Sequence, residues 1–515
     1  MTRAWRRYAT NAVAVGATIA VAYLAVRLVI LLGGTVFESH DSAVYAPRED
    51  PSRNHGPLLS FVGNAPRPWG LPLFYALFGS DEGRAAAQWA LATIAWAAFA
   101  WEVSRHLRTR VARVAVVAAI LVFSCVREVA SWDLAILTES TSISIGVLVL
   151  TFLLRWRRTG SWVAVTAMTL LAVWWTFIRP DIRVFTTVLM AVLLVIAGRA
   201  VWRARRAGPA ETGGALADTS TRTPAEPAPA RPAGGRATRR TVVAALASCL
   251  VLGLSIGWYA AITPGMERAM VPYDGDAIDP PLPQDEYRFV YRLRVDVSTN
   301  PELWAAYTTR IGMPTCPELE AFTSDTYHWR GREWAEAYRR CPALVEWVHE
   351  RKGRYFWTDL VVADPGLFVK TFFRQLSLTL GGEVYADVPR VVPIEKLTFP
   401  SRRFGLPLAL LGFAVTLGLA WWAGALRTHR RLVWFAVGVF GAALLSATAT
   451  IVMVTGELQR FGVQEAVATR VAMLVLLGCA LDAWLVRRRG GAPADEAAAV
   501  SSPGAASSGP AQAAA

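Results

Sequence analysis

"NAVAVGATIAVAYLAVRLVILLGG" (residues 11–34) decides the fold class. A run this long and this apolar matches the roughly 20 residues that cross a bilayer as one helix. It follows "MTRAWRR" and is too long, and lacks the small-residue cleavage site, for a removed signal peptide, so it predicts a retained helix. Working outward, similar runs fall near 85–104, 110–126, 134–154, 161–178, 182–202, 241–263, 404–426, 432–454 and 466–486. Each approaches bilayer length, giving about ten spans. The 515 residues are 54% hydrophobic and include 21 tryptophans, with a mean hydropathy of +0.34. That balance excludes an ordinary soluble domain. The reading is an all-α polytopic membrane protein.

Charge sets the orientation. The net charge of +14 is nearly all arginine, with lysine only at Lys352, Lys370 and Lys396. The clusters "RHLRTRVAR" (105–113), "RWRR" (155–158), "RAVWRARR" (199–206), "RTHRR" (427–431) and "RRR" (487–489) alternate with the runs so that all fall on the N-terminal side. By the positive-inside rule this predicts a multi-pass plasma-membrane protein with both termini cytoplasmic. Clusters beside apolar runs also argue against nucleic acid as a partner. The 110–126 run is the shortest, and Arg113 within it must snorkel.

The chain divides accordingly. Residues 1–206 form an N-terminal transmembrane module with an outer loop at 35–84, and 241–263 form a further span. Residues 264–402 make a mostly helical extracytoplasmic domain between spans seven and eight, and 403–489 hold the last spans. Residues 207–240 and 490–515, rich in Pro, Ala, Gly, Ser and Thr without apolar period, read as a disordered cytoplasmic linker and tail. In the outer loop, "RPWGLPLFYALFG" (67–79) is too short to span and suits the membrane interface. In the outer domain, "ADPGLFVKTFFRQL" (363–376) opens a helix with Asp364 as N-cap and Pro365 at the first position. Cys316 and Cys341, the pair on the oxidising side, predict a disulfide. Cys125, Cys249 and Cys479 sit in spans as small apolar residues. No Cys/His set surrounds the pair to suggest zinc. Trp304, Trp329, Trp334, Trp347 and Trp357 serve core packing or sugar stacking.

Four stretches carry chemistry. In "TVFESHDSAVY" (35–45), helical spacing puts Glu38, Asp41, Ser42 and Tyr45 on one face. Two carboxylates there repel unless a proton, cation or positive partner uses them; the alternative is a solvated loop balancing Arg48 and Arg53. "SWDLAILTESTSISIG" (131–146) places Glu139 about one turn inside a span, where an acid is by default a functional hypothesis, against a helix cap or interhelical hydrogen bond. "FIRPDIRVF" (177–185) puts Arg179 and Arg183 around Pro180 and Asp181, a fork of donors suited to phosphate or to a lipid headgroup. "TGELQRFGVQEAVATR" (455–470) adds Glu457 and Arg460. All four are expected on the outer face.

The order of these elements resembles the GT-C superfamily of membrane glycosyltransferases. "ESHDSAVY" after the first span, followed by an aromatic interfacial segment, "ILTES" at the start of a later span and "IRPD" in the next outer turn are similar to its protein O-mannosyltransferase-like and aminoarabinose-transferase-like members. "ELQRFG" is similar to an "ERY…P" element, with Phe461 in place of Tyr and no proline nearby. The resemblance is close over about residues 10–200 and loose beyond. It implies a polyprenyl-phosphate sugar as donor and transfer, with inversion, to an acceptor hydroxyl of a cell-envelope glycan, lipid or protein. Asp41 then matches the catalytic base, with Glu38 in reserve or on a divalent cation. Arg179, Arg183 and Arg460 would hold the phosphate, while Glu139, Tyr45 and Asp181 orient substrate. No cofactor is specified, and since some branches of the superfamily use a metal and others do not, a divalent cation stays open. The competing readings are a lipid or polysaccharide transporter or flippase, which calls for charged or broken helices near the midplane, and a non-catalytic cell-envelope assembly protein.

Overall fold

The computed structural model describes residues 3–39, 41–46, 60–65, 67–206, 234–274, 284–320, 331–351, 356–399, 401, 403–453 and 457–490. His40, Arg48, Arg53, Trp329, residues 207–233 of the linker and the tail past 490 lie outside them. The long helices are α1 (Arg3–Gly33), α2 (Asp81–Ser104), α3 (Arg110–Phe123), α4 (Thr138–Thr159), α5 (Trp162–Thr176), α6 (Ile182–Arg206) and α7 (Gly234–Asp274). They continue with α8 (Pro365–Thr379), α9 (Gly405–Trp422), α10 (Arg430–Met453) and α11 (Val463–Gly490). Among the described residues no strand forms, and the one bridge pairs Phe37 with Ala135.

Seven of the described helices are long and apolar enough to cross a membrane: α1, α4, α6, α7, α9, α10 and α11. This is an all-α polytopic membrane protein. α5 is apolar but shorter, and α3 joins Arg127–Leu134 only across a 62° bend. Helix α2, rich in Ala and Trp, is not among the seven. Local chemistry explains where helices begin and end. Ser80 caps α2 by accepting from Gly83 N–H, and Thr109 caps α3 by accepting from Ala112 N–H. Gly160 ends α4 with φ +67°, a left-handed conformation that costs a side chain dearly and glycine nothing.

The arginine clusters meet at one end of the bundle. Arg158 grips Glu102 at 2.7 and 2.9 Å. Asp482 of α11 accepts from the backbone N–H groups of Arg108 and Thr109, and His429 Nε2 sits 2.9 Å from it. Arg199, Arg203 and Arg431 all lie within electrostatic reach of Arg157. Helix α3 starts here and finishes at the opposite end, where the Ser124 carbonyl accepts from Arg27. Within this helix Arg113 bends back to the Leu107 carbonyl at 2.8 Å.

Three boundaries differ from the sequence reading. Helix α7 begins at Gly234 and runs through Pro264 to Asp274, beyond 241–263 at both ends. Gly63, with φ +87°, lies so close to Ile262 and Gly265 that neither glycine has room for a Cβ, which pins the first outer loop to α7. The stretch 67–79 forms a helix only over Gly70–Tyr75, and Gly70, Leu71, Pro72 and Tyr75 are buried against protein. Its Gly70 N–H donates to the Phe177 carbonyl, and Trp69 stacks on Phe177 at 4.8 Å. Trp69 and Tyr75 serve this packing, while Leu77 stays exposed. Finally, the outer domain has its own core over Phe289–Leu360, whereas Tyr385, Ala386, Val388 and Phe399 pack into the main bundle. Cys316 and Cys341 are joined by a disulfide, with Cα atoms 6.1 Å apart. Trp334, Trp347 and Trp357 are buried in that core, where they serve packing, and Trp357 also lines a cavity with Phe356, Phe368 and Phe372. Asp364 caps α8 by accepting from Leu367 N–H, with Pro365 at the first position.

Candidate functional site

At the end opposite the arginine clusters, the first outer loop departs from the expected helix. Helix α1 stops at Gly33, and Gly34 lies so close to Leu134 and the Asp387 carbonyl that no side chain fits. The chain then runs extended, with Phe37 N–H donating to the Leu134 carbonyl and Ile136 N–H donating to the Phe37 carbonyl. Only Ser42–Tyr45 makes a helical turn. Ser42 locks it, donating to the Ile136 carbonyl at 2.8 Å and accepting from Ser39 N–H at 2.9 Å. Glu38, Asp41, Ser42 and Tyr45 therefore do not share a helical face. Glu38 is exposed, while Asp41 is turned towards the bundle with its side chain 23% exposed.

Arg460 is the hub there. Its Nη1 lies 2.7 Å from Asp41 Oδ2 and 2.7 Å from Glu457 Oε2, and its Nε lies 3.1 Å from Glu139 Oε1. The short helix carrying it, Leu458–Phe461, ends at Gly462, which is pressed against Thr379 of α8 with no room for a Cβ. Burial opposes the Arg460 charge, yet Glu139, Asp41 and Glu457 together hold its pKa well above the usual guanidinium range. A second guanidinium, Arg67, approaches the other oxygen of Asp41 at 3.4 Å and lies 5.6 Å from the centre of the Tyr45 ring. Tyr45 is buried beneath it, and burial raises its pKa.

Arg179 sits one layer deeper. Its Nη1 is 3.4 Å from Glu139 Oε1, its Nε 3.1 Å from Asp181 Oδ1, and its Nη2 donates to the Phe461 carbonyl at 2.8 Å. Arg179, Glu139 and Asp181 are each at most 2% exposed and lie buried beneath Arg460. Glu465 of α11 adds a further buried carboxylate within electrostatic reach of Arg179, held by the Ser446 hydroxyl at 2.6 Å. Arg183 is not part of this group. The turn at Pro180 puts it on the first turn of α6, where its guanidinium donates to the Pro180 carbonyl and lies 4.5 Å over the Tyr259 ring.

Sequence reasoning missed Arg67, Tyr385 and the pair Arg27–Asp133. Tyr385 lies 5.9 Å from the Arg460 guanidinium and stacks on Trp132 at 4.7 Å; burial pushes its hydroxyl up to about 12. Arg27, fully buried in α1, contacts Asp133 at 2.6 Å, and Asp133 in turn accepts from Ser140 at 2.6 Å, beside Glu139. A lone Arg within an apolar run was the available signal, because such a charge must find a partner. Among the described residues no group of three or more His, Cys, Asp or Glu is arranged to hold a metal ion. The positive charges here are guanidiniums, so a partly exposed carboxylate sits beside two forked donors of the kind that bind an anion. No protein-family model, no curated protein and no solved structure matches this chain, so the likeness to GT-C glycosyltransferases rests on its motifs alone.

Proposed function

We propose that this protein is a membrane glycosyltransferase that moves a sugar from a polyprenyl-phosphate donor to an acceptor hydroxyl on the outer face of the plasma membrane. In this reading the chain crosses the membrane ten times, with α2, α3 and α5 among the spans. The arginine-cluster end and both termini are cytoplasmic, and the fold is GT-C-like. The observation that carries the reading is Asp41, a partly exposed carboxylate at the rim of a mostly buried charge network, 2.7 Å from the Arg460 guanidinium. A displacement at an anomeric carbon needs a base and a phosphate-stabilising donor side by side.

The acceptor oxygen attacks the anomeric carbon while its proton passes to Asp41. The bond from that carbon to the phosphate oxygen breaks, and polyprenyl phosphate leaves with the electron pair. One base and one displacement give inversion. Arg460, one of the three arginines expected from sequence, takes the growing phosphate charge together with Arg67, which lies on the other side of Asp41. Because Arg460 also binds Asp41, an arriving phosphate competes for it and loosens its hold on the base. Donor binding and base strength are thereby linked. Glu139 and Arg179 hold Arg460 in place from below.

The test uses the full-length protein with a panel of polyprenyl-phosphate pentoses and hexoses, following release of polyprenyl phosphate. Release with at least one donor, lost in Asp41→Asn, is the expected result. No release from any donor, with no such lipid co-purifying by mass spectrometry, would sink the reading.

A further inference from the structure

A cavity of about 290 Å³ lies where the outer domain rests on the end of α10. Three elements wall it: the short helix Thr358–Ala363, α8 and the last turn of α10. The domain is fastened there by fixed contacts. Arg292, which leads into the π-helix Leu293–Val297, donates to the carbonyls of Ile451 and Val452 at 3.2 and 2.8 Å. Asp296 of that π-helix accepts from Gln375 of α8 at 3.4 Å. Beside the cavity, Leu376 and Leu380 of α8 pack with Leu406, Ala409, Ala447 and Ile451 in a core that joins α8, α9 and α10.

The walls are apolar. The rings of Phe356, Trp357, Phe368 and Phe372 dominate them, and the amide of Gln375 is already spent on Asp296. The apolar lining residues that stay exposed are Val361, Val362 and Val452, at 42%, 80% and 41%. Such a patch is costly in water and at home in hydrocarbon. Helix α10 is long and apolar enough to cross the membrane, and its last turn lies where hydrocarbon gives way to headgroups. The mouth therefore opens at the level of the lipid. An apolar void of this kind stays dry and forfeits the contacts of its lining. Its wall also holds one unused donor. Trp357 is 7% exposed, and its Nε1 is buried with no hydrogen-bond partner, although a buried indole N–H normally finds one.

We propose that this cavity seats one fatty-acyl chain of a bilayer phospholipid, whose ester carbonyl accepts from the Trp357 indole N–H. The volume is at the small end for a ligand pocket, which suits a single chain rather than a whole lipid. The ester offers a neutral acceptor beside its chain, whereas a prenyl phosphate brings a charge that apolar walls cannot meet. None of the lining residues belongs to the Asp41–Arg460 network, so the seat stands whether or not the protein is a transferase.

The full-length protein, in phosphatidylcholine vesicles, is labelled by a phosphatidylcholine whose acyl chain carries a photoreactive diazirine, and modified peptides are read by mass spectrometry. Labelling is expected to concentrate on the peptides holding Phe356–Gln375 and Ile451–Val452, well above that of the exposed Leu410 and Leu411 of α9. Thr371→Phe fills the cavity from inside, and Val361→Trp blocks its mouth. Each cuts labelling of the Ile451–Val452 peptide by about tenfold, the loss expected when a few methylene groups are denied burial, and leaves α9 unchanged. Val361 is partly exposed and accepts a larger side chain, so it carries the test if Thr371→Phe does not fold. Trp357→Phe keeps an aromatic wall and removes the donor. It lowers labelling by the ester lipid by roughly threefold and leaves that by an ether-linked analogue, which lacks the carbonyl, unchanged. Labelling of the cavity peptides no higher than that of α9 overturns the proposal, as does an ester label untouched by Trp357→Phe. Displacement of the label by farnesyl phosphate but not by an equal amount of unlabelled phosphatidylcholine also overturns it, and makes the occupant a prenyl chain.

Discussion

Asp41 and Arg183 were both visible as charged residues near an outer helix end, yet the fold gives them opposite fates. Asp41 is drawn in between Arg67 and Arg460, and Arg183 turns to Tyr259. On the proposed function, Asp41→Asn keeps the shape and removes the base, so transfer falls by roughly 100-fold or more while donor still binds. On the same proposal, Arg183→Ala leaves donor affinity within about twofold, because Arg183 packs on Tyr259 and not against Asp41 or Arg460; a tenfold loss would put Arg183 back in the site. The identities of the acids were legible because acids near lipid are conspicuous. Arg179 and Arg460 were named for the same site, and the structure brings both to Glu139, Arg460 across 321 residues; Arg67 was not named, because nothing in an aromatic, Pro-containing stretch marks it as a partner of Asp41. Arg27 tests the buried half of the network. Removing it leaves Asp133 charged and uncompensated, and Arg27→Ala should cost about 3–5 kcal/mol, read as a fall in thermal stability.

Elements were easier to read than their joints. Each apolar run expected to span forms a helix, because length and hydropathy act locally and independently of the rest of the chain. The first outer loop failed as a helix, because its backbone pairs with Leu134 and Ile136, which periodicity cannot reveal. The π-helix in the outer domain was equally invisible. It carries a pH dependence: burial lifts the Asp296 carboxyl from 3.8 to about 6, with Arg292 pulling the other way. The folded state thus holds a proton that the unfolded chain releases between those values. Stability from this group is highest below that window, falls as pH rises through it, and is level above. Thermal unfolding followed by tryptophan emission should show this fall, and Asp296→Asn should flatten it. In the same domain the Cys316–Cys341 bond closes a loop with a sequence separation of 25. Replacing both by serine should cost about 3–4 kcal/mol on the chain-entropy account.

Across the whole molecule, the arginine clusters and the carboxylate network occupy opposite ends, as alternation of charge along the chain had suggested. Single cysteines at Arg427 and Glu318 should therefore react with a membrane-impermeant thiol reagent from opposite sides, in a background lacking the other thiols. Labelling from one side would overturn the proposed topology and the outer-face site with it. The distance in sequence between Glu139 and its hub also sets a clock. At a synthesis rate of about 5–20 residues per second, roughly 15–65 s separate the arrival of Glu139 from that of Arg460. For that interval the acid enters the membrane with its principal partner still unmade. Arg179, which also touches Glu139, follows it after only some 2–8 s at that rate. The deeper arginine can thus chaperone the acid through insertion, and the hub closes the network only when nearly the whole chain has emerged, so that a truncated product carries the acids without the site.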